Sequence, residues 1–313
     1  KDMEHYFSLE NSAPNTFTPD SEFPVYNTEK GMYKPVFEKK WKRAAAATPR
    51  VSSLKGGFRI NVIPSDAEAV VLGMTADEIQ IASEKKAAAL GVSLHTENVP
   101  GGTKLLVKGT GAHASTPEVG NNGITALLHL LSDLPLADCP STETIRQLSS
   151  VFPHGDGLGK ALGIAMADEI SGPLTVAFTL LTMDESGVSG QFDSRIPLCA
   201  NDSNCRAAVE KKLGGMGFAV TGAILAPHHT PAEGDFIRTL LRCYEQYTGR
   251  KGECLATGGG TYVHDIEGGV AFGADFPDLP SCMHGANERS GLKNLLTAAA
   301  IFAQVIFDLC CCK

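Results

Sequence analysis

Apolar and polar positions alternate in register along much of this chain, and their period changes from segment to segment. Phe58, Ile60 and Val62 alternate until Pro64 interrupts them, and Ala69-Val70-Val71-Leu72 follow; both runs predict strands. Thr75-Ala76-Asp77-Glu78 has the spacing of a capping box, which predicts a helix to about Leu90 with Gly91 as its stop. Val92 to His95 and Lys104 to Lys108 read as strands joined through a Gly101-Gly102 turn. Further on, Ile124, Leu127, Leu128, Leu131 and Leu134 fall on one helical face, with Pro117 near the first turn. His113 therefore sits at a strand-to-helix junction. Leu174 to Leu181 and Gln191 to Ile196 are strands, the second ended by Pro197. Asp202 or Ser203 caps a helix closed by Gly214, and Phe218 to Leu225 return as a strand. Phe236, Ile237, Leu240, Leu241 and Tyr244 predict an amphipathic helix over 233–248, ended by Gly249. A last helix starts near Gly291 with a wide apolar stripe from Leu292 to Leu309.

The order strand, polar strand end, proline, helix, strand occurs twice, around Asn61-Pro64 and around Arg195-Pro197. It reads as an internal repeat of a βαβ-type unit. Prolines 19 and 24 exclude a helix in the N-terminal stretch; Val25 and Tyr26 start a strand and Thr28-Glu29-Lys30-Gly31 form an exit turn. Residues 135–171 read as a Pro-bounded, Gly-rich linker without a phosphate-loop signature. The expected organisation is an α/β chain: residues 31–226 form an inserted module, and 1–30 with 227–313 form a second domain. In that second domain a short apolar strand, Gly269 to Gly273, leads to a loop holding His284 and then to the terminal helix. An α/β sheet presents a ligand in this way at its carboxyl edge.

Composition narrows the picture. Of 313 residues, 43% are hydrophobic and 20% charged, the balance of a globular protein. The net charge of −8 argues against a nucleic-acid partner, despite the basic run Lys39 to Arg43. No apolar run approaches the roughly 20 residues of a bilayer span, so no membrane association is expected. The nine cysteines have no zinc-ribbon or CxxC spacing and read as reduced thiols of a cytoplasmic protein. The chain opens without a signal peptide or initiator Met, in what reads as the middle of an element.

Four motifs in order carry a resemblance: Phe17-Thr18-Pro19-Asp20, Gly109 to Pro117 (Gly-Thr-Gly-Ala-His-Ala-Ser-Thr-Pro), Gly258-Gly259-Gly260-Thr261-Tyr262 and Met283-His284-Gly285-Ala286-Asn287-Glu288. Together they resemble the di-zinc metallopeptidases that include carboxypeptidase G and aminoacylase. Phe17 to Val25 followed by Glu29-Lys30-Gly31 matches the PepV-like bacterial dipeptidases in most detail. The resemblance implies an α/β/α catalytic domain, incomplete here, with an inserted two-lobed α+β lid. It implies hydrolysis of dipeptides by water activated on two Zn²⁺ ions, in a protein that acts as a monomer. By the same resemblance Asp20 is a ligand to one zinc and His284 to the other. His113 stabilises the developing oxyanion. Asn61 and Arg195 hold the dipeptide, Arg195 through its C-terminal carboxylate, and the backbone of Gly259 and Gly260 lines the pocket.

The chain also departs from the family pattern. The family's His-x-Asp motif, bridging Asp and Glu-Glu pair are not found, so the chain is expected to be a truncated portion that binds zinc poorly and is inactive by itself. His264 stands where the family has Arg; with His228 and His229 it reads as a surface or hinge-adjacent residue. Two alternatives compete with the dipeptidase: a non-catalytic binding or dimerisation module derived from a peptidase, and an N-acyl amino acid deacylase.

Overall fold

The computed structural model describes residues 2–42, 47–278 and 287–311. The chain is mixed α/β and divides into two compact units. The smaller comprises Lys1–Gly31, Asp168–Gly172 and Ala226–Lys313; the larger comprises Met32–Ala167 and Pro173–Leu225.

In the larger unit the sheet runs in the order Ala219–Thr221, Val36–Lys40, Gly187–Ile196, Thr175–Met183, Arg50–Gly56, Asp66–Leu72, Gly102–Lys108 and Ser93–Val99. The described pairings in it are antiparallel. In each half the strand before the helix and the strand after it nevertheless run parallel, with one antiparallel strand between them, Gly102–Lys108 in the first and Val36–Lys40 in the second, so the βαβ-type repeat is present in a split form. Both halves join one sheet and one core, which contains Phe37, Leu54, Leu105, Leu127, Phe178 and Phe192. The helix Ala76–Ala89 begins as its sequence predicts: the Thr75 side chain accepts from Glu78 N–H, and Glu78 Oε2 accepts from Thr75 N–H at 2.8 Å. The next helix, Gly123–Asp133, starts later than Pro117 suggests. Pro117 opens a 3-10 turn instead, and Asn122 is the cap, its Oδ1 accepting from Ile124 N–H and Thr125 N–H. The Pro140–Val151 helix lies in the stretch that reads as a linker. Its apolar side is only Ile145, Leu148 and Val151, and the rest of its buried face is Ser141, Thr142 and Thr144, so hydrophobic period alone does not reveal it.

Other boundaries shift for similar reasons. The alternation at Phe58, Ile60 and Val62 yields only the short strand Val62–Ile63, and Phe58 is 73% exposed. Gly57 explains the break. Its φ is +79°, and a Cβ there would lie 1.8 Å from the Thr179 carbonyl oxygen. The chain turns out of the sheet at a position that only glycine fills. Asn201, rather than Asp202 or Ser203, supplies the cap before the helical stretch that ends at Gly214.

The smaller unit has a five-stranded sheet among its described residues. Phe17–Thr18 runs parallel to Val270–Ala271, and Cys254–Thr257 runs parallel to Val25–Glu29. The stretch Thr28 to Gly31, which reads as an exit turn, is strand through Glu29 and again from Gly31. Phe23 centres the core, with ring centroids 4.7 Å from Phe276, 4.9 Å from Phe272 and 5.6 Å from Tyr244. The helices Asp235–Thr248 and Leu292–Cys310 meet through Arg242–Asp308 (2.8 Å) and Tyr247–Gln304 (3.2 Å). By length and composition Leu292–Cys310 is apolar enough to cross a membrane, which corrects the expectation that no stretch approaches that size. Polar residues such as Lys293, Asn294, Gln304 and Asp308 break any continuous run. In the helix they leave a buried line of Ala298, Ile301 and Val305, with Leu292, Leu295, Leu296, Ile306 and Phe307 exposed.

Candidate functional site

The sequence-predicted residues fall in both units. Asp20, Gly259 and Gly260 belong to the smaller; Asn61, His113 and Arg195 belong to the larger; His284 lies outside the described residues.

Asp20 follows the Phe17–Thr18 strand on an exposed bend. Its neighbours are fixed by the backbone: Ala274 N–H donates to Pro19 O (3.0 Å), and Ser21 N–H donates to Gly273 O (2.8 Å). The parallel partner, Val270–Ala271, leaves the sheet at the same edge. Its chain continues through Gly273 to Asp278 toward His284, which lies outside the described residues. The glycine turn is placed differently. Gly258 to Gly260 follow Cys254–Thr257, which is parallel to Val25–Glu29, while Val270–Ala271 is antiparallel to that strand. The glycines therefore sit beside Glu29, and the Asp20 loop lies toward the Val25 end. At about 3.3 Å per residue the two ends are roughly 13 Å apart along the strand.

Glu29 is the buried polar hub of this unit, with no exposed surface. The Thr261 hydroxyl donates to Oε1 at 2.6 Å, and Thr261 N–H lies 3.1 Å from each carboxylate oxygen. His264 Nδ1 is 2.8 Å from Oε2, and His264 Nε2 is 2.8 Å from Ala226 O. Burial pushes the Glu29 carboxyl up, but donors from His264 and Thr261 outweigh it and hold the group below its ordinary value. The hydrogen bond to Glu29 raises His264 against a smaller opposing effect of burial, with Ala226 O adding to the rise. His264 is thus no surface residue: its side chain is 7% exposed. His229 Nδ1 bonds Thr28 Oγ1 (2.8 Å) and His228 Nε2 bonds Gly269 O (2.8 Å), so both are tied into the sheet as well. Sequence reasoning missed Glu29 because an acidic residue next to Lys-Gly reads as a turn. No alternation of apolar positions marks it either, because Asn27 and Thr28 separate it from Val25 and Tyr26.

In the larger unit two of the named residues are brought together. The Val62–Ile63 strand pairs antiparallel with Ala112–His113, and Asn61 O accepts from Ala114 N–H at 2.9 Å. Both Asn61 and His113 are exposed on this two-stranded corner. His113 Nδ1 is 2.6 Å from Ser115 Oγ and also accepts from Ser115 N–H (3.2 Å), which holds the ring in place. A groove of ≈ 290 Å³ in this unit is lined in part by Gly57, Phe58, Pro64, Ser65 and Asp66, and neither Asn61 nor His113 lines it. Arg195 ends the Gly187–Ile196 strand and is 3% exposed. Its Nε and Nη2 meet Asp193 Oδ1 and Oδ2 at 2.8 and 3.1 Å, and Lys34 Nζ is 3.3 Å from Oδ2. The fork expected to grip a substrate carboxylate is therefore turned onto a carboxylate of the chain itself.

Among the described residues no group of three or more His, Cys, Asp or Glu side chains is placed to hold a metal ion. A catalytic zinc takes three protein ligands, so the described residues by themselves do not fit such a centre.

The chain was compared with known proteins. No family model matches it. It is 29% identical over 308 residues to a β-Ala-Xaa dipeptidase of Lactobacillus delbrueckii subsp. lactis, covering 98% of this chain and 65% of that protein. It is 32% identical over 316 residues to a putative dipeptidase, YtjP, of Bacillus subtilis (strain 168), covering 98% and 66%. The chain thus spans just under two thirds of the length of these curated relatives. Among solved structures, the aminoacylhistidine dipeptidase from Vibrio alginolyticus superposes with a TM-score of 0.52 at 15% identity, over 96% of this chain and 67% of that one, a likeness of fold. Over nearly its whole length, then, the chain is similar to bacterial dipeptidases, and it shares the fold of a solved aminoacylhistidine dipeptidase.

Proposed function

We propose that this chain serves a zinc-dependent dipeptidase, which hydrolyses the single peptide bond of a dipeptide carrying a free carboxylate. The observation that carries the reading is the similarity to a β-Ala-Xaa dipeptidase across 98% of the chain. In this reading Asp20 and His284 each contribute one ligand to one of two zinc ions. The described residues do not account for the remaining ligands, so the roles that follow concern the substrate. His113, its ring braced by Ser115, donates to the oxyanion that develops on the scissile carbonyl. Asn61, one backbone hydrogen bond away from that corner, holds the peptide, and the small Gly259 and Gly260 admit it closely. Lys34, Asp193 and Arg195 together carry one net positive charge. That charge favours the substrate carboxylate, although a direct contact with Arg195 competes with Asp193.

The test is hydrolysis of dipeptides, their C-terminal amides and N-acyl amino acids by the full gene product, with Zn²⁺ and after chelation. Metal-dependent cleavage of dipeptides is expected. His113→Ala is expected to lower kcat by roughly 10²–10³. Arg195→Ala is expected to raise KM for dipeptides far more than for the amides. Hydrolysis indifferent to chelation, or a preference for N-acyl amino acids, would overturn the proposal.

A further inference from the structure

The Glu29 cluster does a job that the proposed reaction leaves unassigned. A fully buried carboxylate gathers Thr261, the residue directly after the glycine turn, and His264, three residues further on. Both partners of the His264 ring are pure acceptors: the Glu29 carboxylate on Nδ1 and the Ala226 carbonyl on Nε2, each at 2.8 Å. A neutral imidazole has one N–H and satisfies only one of them; the imidazolium satisfies both. On losing a proton the ring would turn a lone pair toward an oxygen 2.8 Å away, and one contact must open. The 3-10 turn Tyr262–Asp265 carries His264 and is joined to the glycine turn through Thr261. A displacement of His264 is therefore passed to Gly258–Gly260 within six residues of backbone.

We infer that His264 and Glu29 are positioning residues for the Gly258–Thr261 turn, holding it in its present form only while the His264 ring carries both protons. The bearing of this on substrate rests on the proposed role of Gly259 and Gly260. The charged and titratable groups facing the ring come from three elements: Glu29 on its strand, His228 on the returning strand with its ring centroid 6.2 Å away, and Asp265 on the same turn. Glu29 and Asp265 favour the imidazolium, while His228 would oppose it if protonated.

The experiment is an NMR titration of the 313-residue chain that follows the His264 ring nitrogens and the amides of Gly258, Gly259, Gly260 and Thr261. The expected result is a doubly protonated ring that persists above pH 6.5, with all four amides titrating at the same midpoint. Thr261 amide exchange should accelerate about tenfold above it, the equivalent of one lost hydrogen bond. His264→Arg should abolish the amide titration and hold the low-pH form. His264→Gln should show the high-pH form throughout, and Glu29→Gln should lower the His264 midpoint. A ring that loses a proton at or below pH 6.5, or glycine amides that ignore its titration, would overturn the inference. The wild-type titration decides even if a variant fails to fold, and hydrolysis does not enter it, so failure here leaves the dipeptidase reading standing.

Discussion

Glu29 and His264 show how far a single residue's meaning depends on its surroundings. Burial drives a carboxylate and an imidazole toward neutrality; mutual contact with added donors and acceptors shifts both back toward their charged forms. The sign of the resulting pH dependence follows from the two shifts. His264 is raised above its ordinary 6.5, so its contribution is fully present below 6.5 and is lost as pH rises through the higher folded value. Glu29 is lowered below 4.5, so its contribution is present above 4.5 and is lost as pH falls through the lower folded value. Urea denaturation across pH should therefore show a shoulder of added stability from about pH 4.5 to somewhat above 6.5, flattened on the alkaline side in His264→Arg. His264→Ala, which leaves a buried carboxylate facing no cation, should cost about 3–5 kcal/mol at pH 6. Gly57 gives a backbone counterpart. Gly57→Ala meets both the positive φ and the Thr179 carbonyl, and should destabilise by at least about 2 kcal/mol. Neither effect can be read from the residue name: Glu29 resembles a turn residue in sequence, and Gly57 interrupts an alternation that otherwise predicts a longer strand.

At the scale of elements, the chain announces those whose signals are local. The Thr75–Glu78 box, the Gly101-Gly102 turn and the apolar face of Asp235–Thr248 each lie within a few residues and appear where expected. Elements decided by distant partners are misplaced. Pro117 has the right chemistry for a first helical turn, but the Thr110–Asn121 bridge draws the following residues back to the sheet, and the helix waits for Asn122. Asn122 also donates from Nδ2 to Phe178 O at 2.7 Å, so it caps a helix and ties it to the sheet together. Asn122→Ala should cost about 1–3 kcal/mol by chemical denaturation, more than the roughly 1 kcal/mol expected of Thr75→Ala, which removes a cap on an exposed surface. The Pro140–Val151 helix escapes notice because its buried face is half hydroxyl. Thr and Ser can be buried there once a core on the other side supplies the apolar contact.

The molecule as a whole has one large core in the 32–225 unit and a smaller aromatic one around Phe23. Separate cores predict separate responses. Leu127→Ala, at a fully buried position of the larger core, should cost about 2–5 kcal/mol. In hydrogen exchange read by mass spectrometry, that loss should appear in Thr175–Met183 and Asp66–Leu72 and leave Asp235–Thr248 unchanged. Equal loosening of both units would show that they unfold as one. The named residues follow the same division: Asp20 and the glycine turn belong to one unit, and the corner of Asn61 and His113 and the Arg195–Asp193–Lys34 cluster belong to the other.

By itself the sequence determined most strands and helices with local signals, the α/β class, and a resemblance to a peptidase family carried by four short motifs in order. These rest on interactions within a few residues or on motif spacing, both written directly in the chain. Only the tertiary structure decided that Arg195 faces Asp193, that Asn61 lies against the His113 corner, and that Glu29 and His264 form a buried pair. Those outcomes depend on which residues, tens to hundreds of positions apart, exclude water from one another. Burial, which sets the charge and reach of each group, is a property of the packed chain rather than of any segment.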